Sequence, residues 1–232
     1  MHKICRYRRH KVDAERKEKA MNGEIVEKTK CGQCGKENTI LVWRQLDVQK
    51  KPWIKRQILT GEFFCSTCPD CGAKTDFFYT TTYADPADKV IMRTFVTPPP
   101  IPDKIPFPMP PPAVPFSSRI ALRDVVGWRE MREKILIFSL GLNDFQVAFM
   151  KYILQIQYQL FNLEFAAVQG NNWVFRNRSV APPHREYIVA DTREYRKQLD
   201  FFGADYLYLK TYLHVDIILI EKIVLHVLSN KS

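Results

Sequence analysis

Up to residue 97 the chain sets apolar and polar positions in short runs. "TILVWRQLDV" (39–48), "DFFYTTTY" (76–83) and "KVIMRTFV" (89–96) are rich in β-branched and aromatic residues and predict strands, the last two joined by the turn-rich "ADPAD". Between the first two lies "PWIKRQILTG", which predicts a short helix. Pro52 suits its first position, Ile54 and Ile58 stack one turn apart, and Gly61 suits the position just past its end. From residue 128 the pattern turns helical. "WREMREKILIFSLG" places Trp128, Met131, Ile135 and Phe138 on one face and stops at Gly141. A second helix starts at once, with Asn143 as N-cap, Gln146 at the reciprocal capping-box position and a stripe of Phe145, Phe149, Tyr152, Ile156 and Leu160. Glu130, Glu133 and Asp144 on these helices read as solvated faces or caps. Two strands, 163–168 and 172–176, turn through "GNN"; a third run, "EYIVA", precedes a helix that Asp191 or Thr192 caps and Gly203 ends. Residues 205–228 are too uniformly apolar to phase.

The sharpest break is "PPPIPDKIPFPMPPPAVP" (98–115), in which ten of eighteen residues are proline. Proline cannot continue a helix and cannot donate to a sheet ladder, so the stretch reads as an extended polyproline strap, up to about 56 Å long at roughly 3.1 Å per residue. A spacer is the commoner use of such a segment than recognition by aromatic-groove domains. The predicted organisation is a basic arm (1–27), an N-terminal domain (28–97), a proline-rich linker (98–116) and a C-terminal α/β or α+β domain (117–232). The fold class is α+β, with a β-rich domain and a short helix before the strap, and a mixed helix–strand domain after it.

Composition adds limits rather than an activity. The 232 residues are 46% hydrophobic and 26% charged, enough for a core without disulfide staples. The net charge is +10, and half of it lies in the first twenty residues, where eight Lys and Arg face Asp13, Glu15 and Glu18. That arm suits contact with phosphate or an acidic partner, but a solvated terminus is the commoner reading of such a segment. The opening residues lack the apolar region of a signal peptide. The most apolar run, "VDIILIEKIVLHVL" (215–228), is too short and too interrupted by charge to span a bilayer. The expected location is the cytoplasm, with no membrane contact.

Five of the six cysteines fall in two clusters, a pattern of metal ligation in a reducing compartment. The first is "CGQCG", with Cys31 and Cys34. The second, "CSTCPDCG", offers Cys65, Cys68 and Cys71 at equal spacing, so that two pairs compete. Cys-x-x-Cys lets one short loop present two thiolates to a tetrahedral ion. A following glycine permits the positive φ of a tight knuckle, and proline after the first cysteine presets the turn. "CPDCG" has both and "CSTC" has neither. Cys31, Cys34, Cys68 and Cys71 are therefore the expected ligands of one structural Zn²⁺, with Cys65 a neighbouring free thiol. Iron in the same Cys₄ geometry and a redox Cys-x-x-Cys are the alternatives. Four thiolates leave no open position for water, so a catalytic zinc is disfavoured.

These residues carry a family likeness. Residues 28–97 resemble the CpXC domain, a bacterial and archaeal family defined by paired Cys-x-x-Cys knuckles. "DVQKKPWIKRQILTGEF" is similar to its strand–proline–helix stretch, "CPDCGAK" to its name-giving motif, and "YADPADKVIMRTFV" to its closing segment. The likeness extends through "WREMREKILIFSLGLNDFQVAFMK", to about residue 160. Gly32 stands where the name leads one to expect proline, and Cys65 lies outside the pattern. The resemblance implies a metal-bound, rubredoxin-like or zinc-ribbon fold and supplies no activity.

His2, His10, His184, His214 and His226 are scattered, and no phosphate loop, nucleophile elbow or zinc-protease motif is present. The basic residues Arg44, Lys50, Lys51, Lys55 and Arg56, interleaved with Trp43 and Trp53, form a candidate nucleic-acid surface. Trp43 reads at least as well as core. Three functions follow in order: a non-enzymatic, zinc-stabilised binding or scaffold protein with a protein partner; a nucleic-acid-associated protein; and an enzyme whose site in the C-terminal half has no motif.

Overall fold

The structure, a computed structural model, describes residues 24–97, 120–179, 186–197 and 217–229. The linker 98–116 and the basic arm up to residue 23 lie outside them. The described residues are mixed α+β and form two compact units: 24–87, 91–97 and 125–132 in the first, and 88–90, 120–124, 133–179, 186–197 and 217–229 in the second.

The first unit opens with a strand the sequence reading missed. β1 (Glu24–Lys30) pairs antiparallel with β2 (Glu37–Trp43), from Glu24↔Trp43 at the open end to Lys30↔Glu37 at the turn. Its alternating charges had merged with the basic arm. A second small hairpin joins β4 (Cys65–Thr67) to β5 (Lys74–Asp76), closing at Thr67↔Lys74. Between them stand β3 (Gln45–Asp47) and helix α1 (Trp53–Thr60). α1 buries Ile54 and Ile58 completely, as the one-turn spacing predicts, and ends at Gly61. β3 is an outer strand of a sheet that continues through β6 (Thr82–Asp85) and β7 (Val90–Phe95), with β3 and β6 parallel; β8 (Ala121–Val126) is the next strand along the chain. Leu46, Tyr83 and Met92 are fully buried there.

Residues 77–81, predicted as strand, are not. The Phe77 N–H donates to the Phe64 carbonyl at 2.6 Å, and the rings of Phe78 and Tyr79 pack on Phe64 at 5.0 and 5.4 Å. Aromatic packing replaces the ladder that the β-rich composition suggested.

Helices α2 (Gly127–Ser139) and α3 (Asp144–Tyr158) meet near the predicted stop and cap. Asn143 Oδ1 accepts the Phe145 N–H at 2.9 Å. In the second unit α3 packs with β9 (Leu163–Gln169), β10 (Asn172–Asn177), β11 (Tyr187–Asp191) and α4 (Ile217–Ser229), the strands ordered β11-β10-β9 and antiparallel. The predicted stripe of α3 fails at Ile156, which is 60% exposed; Val147, Met150 and Leu154 are buried instead. Of the helix predicted to end at Gly203, residues 192–195 form turns and 198–203 lie outside the described residues.

Glu133 and Asp144 overturn the solvated reading: both are buried. Arg123 grips Asp144 with Nε at 2.8 Å and Nη2 at 2.9 Å, and Lys134 Nζ adds a third contact at 2.8 Å. Burial alone would push the Asp144 carboxyl up, but the charges and hydrogen bonds of Lys134 and Arg123 hold it well below the carboxylate range. Glu133 accepts from Lys151 Nζ at 2.9 and 3.0 Å and from the Phe165 N–H at 2.6 Å. Helical periodicity places charge outward by default; only partners from other elements make burial tolerable, and these are remote in sequence.

Candidate metal centre

Each cysteine pair occupies the six-residue tip of a β-hairpin. Residues 31–36 join β1 to β2, and 68–73 join β4 to β5. The two tips are built alike. The Cys31 N–H donates to the Lys36 carbonyl at 2.9 Å, and the Cys68 N–H to the Ala73 carbonyl at 2.8 Å. The Gly35 N–H returns to the Cys31 carbonyl and the Gly72 N–H to the Cys68 carbonyl, at 2.9 and 3.0 Å. Gly35 and Gly72 have φ of 72° and 71°, a left-handed turn that an L side chain resists.

The tips bring all four sulfurs within 4.8 Å of one another. Cys31 Sγ lies 3.7 Å from Cys71 Sγ, and Cys34 Sγ lies 3.7 Å from Cys68 Sγ. A regular tetrahedron with metal–sulfur bonds of about 2.3 Å has edges of about 3.8 Å, so these sulfurs fit the coordination shell of a tetrahedral thiophilic ion. Cys31 and Cys68 are buried; Cys34 and Cys71 are exposed. Cys65 is outside the cluster. It sits in β4 opposite Asp76, before the tip begins.

Hydrogen-bond donors surround the sulfurs. The backbone N–H groups of Cys34 and Gln33 lower the Cys31 pKa. At Cys68 the Asn38 carboxamide, whose oxygen stands 3.6 Å from Sγ, is the strongest influence, followed by the N–H of Cys71; together with the Asp70 N–H they bring the thiol down to about 6. The Cys68 thiol donates to Asn38 Oδ1. Cys34 and Cys71 receive the N–H of Lys36 and of Ala73, which lower their pKa values, but burial and the neighbouring sulfurs override them. Cys34 is raised and Cys71 is pushed up to about 12. Four thiolates this close repel one another, and a bound dication supplies the charge that lets all four stay ionised.

Lys36 Nζ binds Asp70 Oδ1 at 3.0 Å, linking the two tips by an ion pair. Neither it nor Asn38 was singled out from the sequence. The signal was available in the knuckle alignment, where Lys36 directly follows one turn glycine and Asp70 lies inside the other pair.

The basic cluster is largely compensated. Arg44 faces Glu27 at 3.9 Å, Lys50 faces Asp47 at 3.3 Å, and Lys55 binds the buried Asp85 at 3.0 Å. Lys51 stands 3.9 Å over the ring of Trp43, which is itself buried and edge-on to Trp53 at 5.8 Å. Arg56 and Trp53 are exposed.

No helix among the described residues is long and apolar enough to cross a membrane. A family model described as "CpXC protein" matches residues 29–151, from just before the first knuckle to within α3. No curated protein and no solved structure shows a significant match to the chain. The matched stretch is more than half of the chain and contains both cysteine pairs, so this protein belongs to the CpXC family.

Proposed function

We propose that Cys31, Cys34, Cys68 and Cys71 hold one structural Zn²⁺ in a zinc-ribbon-like or rubredoxin-like arrangement, and that the protein is a non-enzymatic binding or scaffold module acting through protein–protein contacts in the cytoplasm. The observation that carries the metal reading is the pair of cross-knuckle sulfur separations of 3.7 Å within a cluster no wider than 4.8 Å. Bound zinc would pin the two hairpin tips together and, with four thiolates, leave no site for substrate or activated water. Each tip contributes one buried and one exposed cysteine and its own N–H donors, so the chain's part is to preshape the thiolate shell.

The nucleic-acid reading rests on the basic arm (1–27) together with Arg44, Lys50, Lys51, Lys55 and Arg56. Four of the patch residues already engage a carboxylate or an indole, which leaves the arm, Arg56 and the face of Trp53 as its main support. Affinity purification with nuclease and high-salt washes tests the two readings together. A partner that survives both washes supports the scaffold role. Salt-sensitive nucleic acid with no protein partner refutes it.

A further inference from the structure

The two knuckles are related position by position, so each cross-knuckle contact on one side has a counterpart on the other. Cys34 with Cys68 corresponds to Cys71 with Cys31, and both pairs keep the same 3.7 Å. The outer contacts do not repeat. Lys36 and Asp70 tie the tips together at 3.0 Å beside the Cys34–Cys68 edge, and Asn38 touches Cys68 at 3.6 Å. The counterparts of Lys36, Asp70 and Asn38 are Ala73, Gln33 and Thr75. Ala73 has no group with which to bind Gln33, and no side-chain hydrogen bond among the described residues crosses the Cys31–Cys71 edge apart from the sulfurs themselves. Space does not separate the two sides: a Cβ added at Gly35 or at its counterpart Gly72 would meet nothing within 4 Å, so the difference lies in the side-chain contacts alone.

We infer that the metal centre is mechanically asymmetric and opens at Cys71: Lys36, Asp70 and Asn38 are positioning residues that brace the Cys34–Cys68 edge, while the exposed Cys71 on the unbraced edge is the ligand that first leaves the ion and meets electrophiles. Cys34 is exposed too, so exposure alone does not distinguish the two. The brace does. With iodoacetamide as electrophile, the metal–sulfur bond at Cys71 opens, Sγ forms the S–C bond, and iodide leaves.

This inference rests on the zinc reading above. The test treats the full-length, zinc-loaded protein with limiting iodoacetamide and follows each cysteine by peptide mass spectrometry, with released zinc read by a chromogenic chelator. Cys71 should be modified about two- to fivefold faster than Cys34, the scale of an exposed ion pair, and zinc release should track Cys71. Lys36→Ala should speed Cys34 until the two match. Gln33→Asp combined with Ala73→Lys, which builds the missing brace, should slow Cys71. Equal rates at Cys34 and Cys71 in a protein carrying one zinc, or no change in the braced variant, overturn the asymmetry and leave the zinc reading standing. A protein that holds no zinc overturns both.

Discussion

Cys34 Sγ and Cys68 Sγ lie 3.7 Å apart although 34 positions separate them in the chain. Neither strand pairing nor a helix joins them directly; each sits at the tip of its own hairpin. The contact therefore depends on what holds the tips.

With the Cys₄ site holding zinc as proposed, a strong chelator at neutral pH should loosen the two hairpins before the rest of the chain. Amide exchange should rise in β1, β2, β4 and β5, while α3 and β10 of the second unit keep their protection. Uniform exchange throughout the chain, or none, would contradict a role confined to the hairpin tips.

Gly72→Ala tests the knuckle turn. Open space surrounds the position, so its cost comes from the backbone, φ being 71°. A non-glycine residue in that region costs about 1–2 kcal/mol, which should weaken zinc binding by about tenfold. Gly72→Asn, better tolerated there, should lose less. Unchanged affinity for both variants in a competition titration would remove the conformational argument.

Asp144 carries the clearest pH dependence. Its folded carboxyl is lowered, so its stabilisation is fully present above the unfolded carboxylate range near pH 4 and is lost as pH falls below it. Asp144→Asn leaves Arg123 and Lys134 buried without their shared carboxylate and should cost about 3–5 kcal/mol at pH 7. Its unfolding midpoint should also depend less on pH below 4 than the wild type's. A parallel pH profile would show that the acid sensitivity lies elsewhere.

Fluorescence titration with single-stranded DNA addresses the basic patch. With Arg44, Lys50 and Lys55 ion-paired, the full chain should show no salt-sensitive quenching of Trp53 near physiological salt. Tight binding that Arg56→Ala and Trp53→Ala abolish would reverse the order of the two functional readings.

What the sequence showed clearly was local. Cys-x-x-Cys followed by glycine is a chemical requirement compressed into five positions, and both hairpin tips were legible from it. Ile54, Ile58 and Asn143 likewise followed from spacing within one helix. What failed was long-range. β1 looks like a charged tail until it is paired with β2, and Phe77, Phe78 and Tyr79 look like a strand until Phe64 is placed beside them. Glu133 and Asp144 were misread because the cations that make their burial tolerable come from other elements. The choice between Cys65 and Cys71 lay between these cases. Turn chemistry favoured Cys71, and the pairing of Cys65 with Asp76 gives the structural reason.

The most direct test of the account is metal stoichiometry across the cysteine variants, by elemental analysis of the purified full chain. The account predicts one zinc per chain in the wild type, one in Cys65→Ser, and loss of zinc with unfolding of the hairpins in Cys71→Ser. Loss of zinc in Cys65→Ser, with full retention when any one of Cys31, Cys34, Cys68 or Cys71 is replaced, would contradict it.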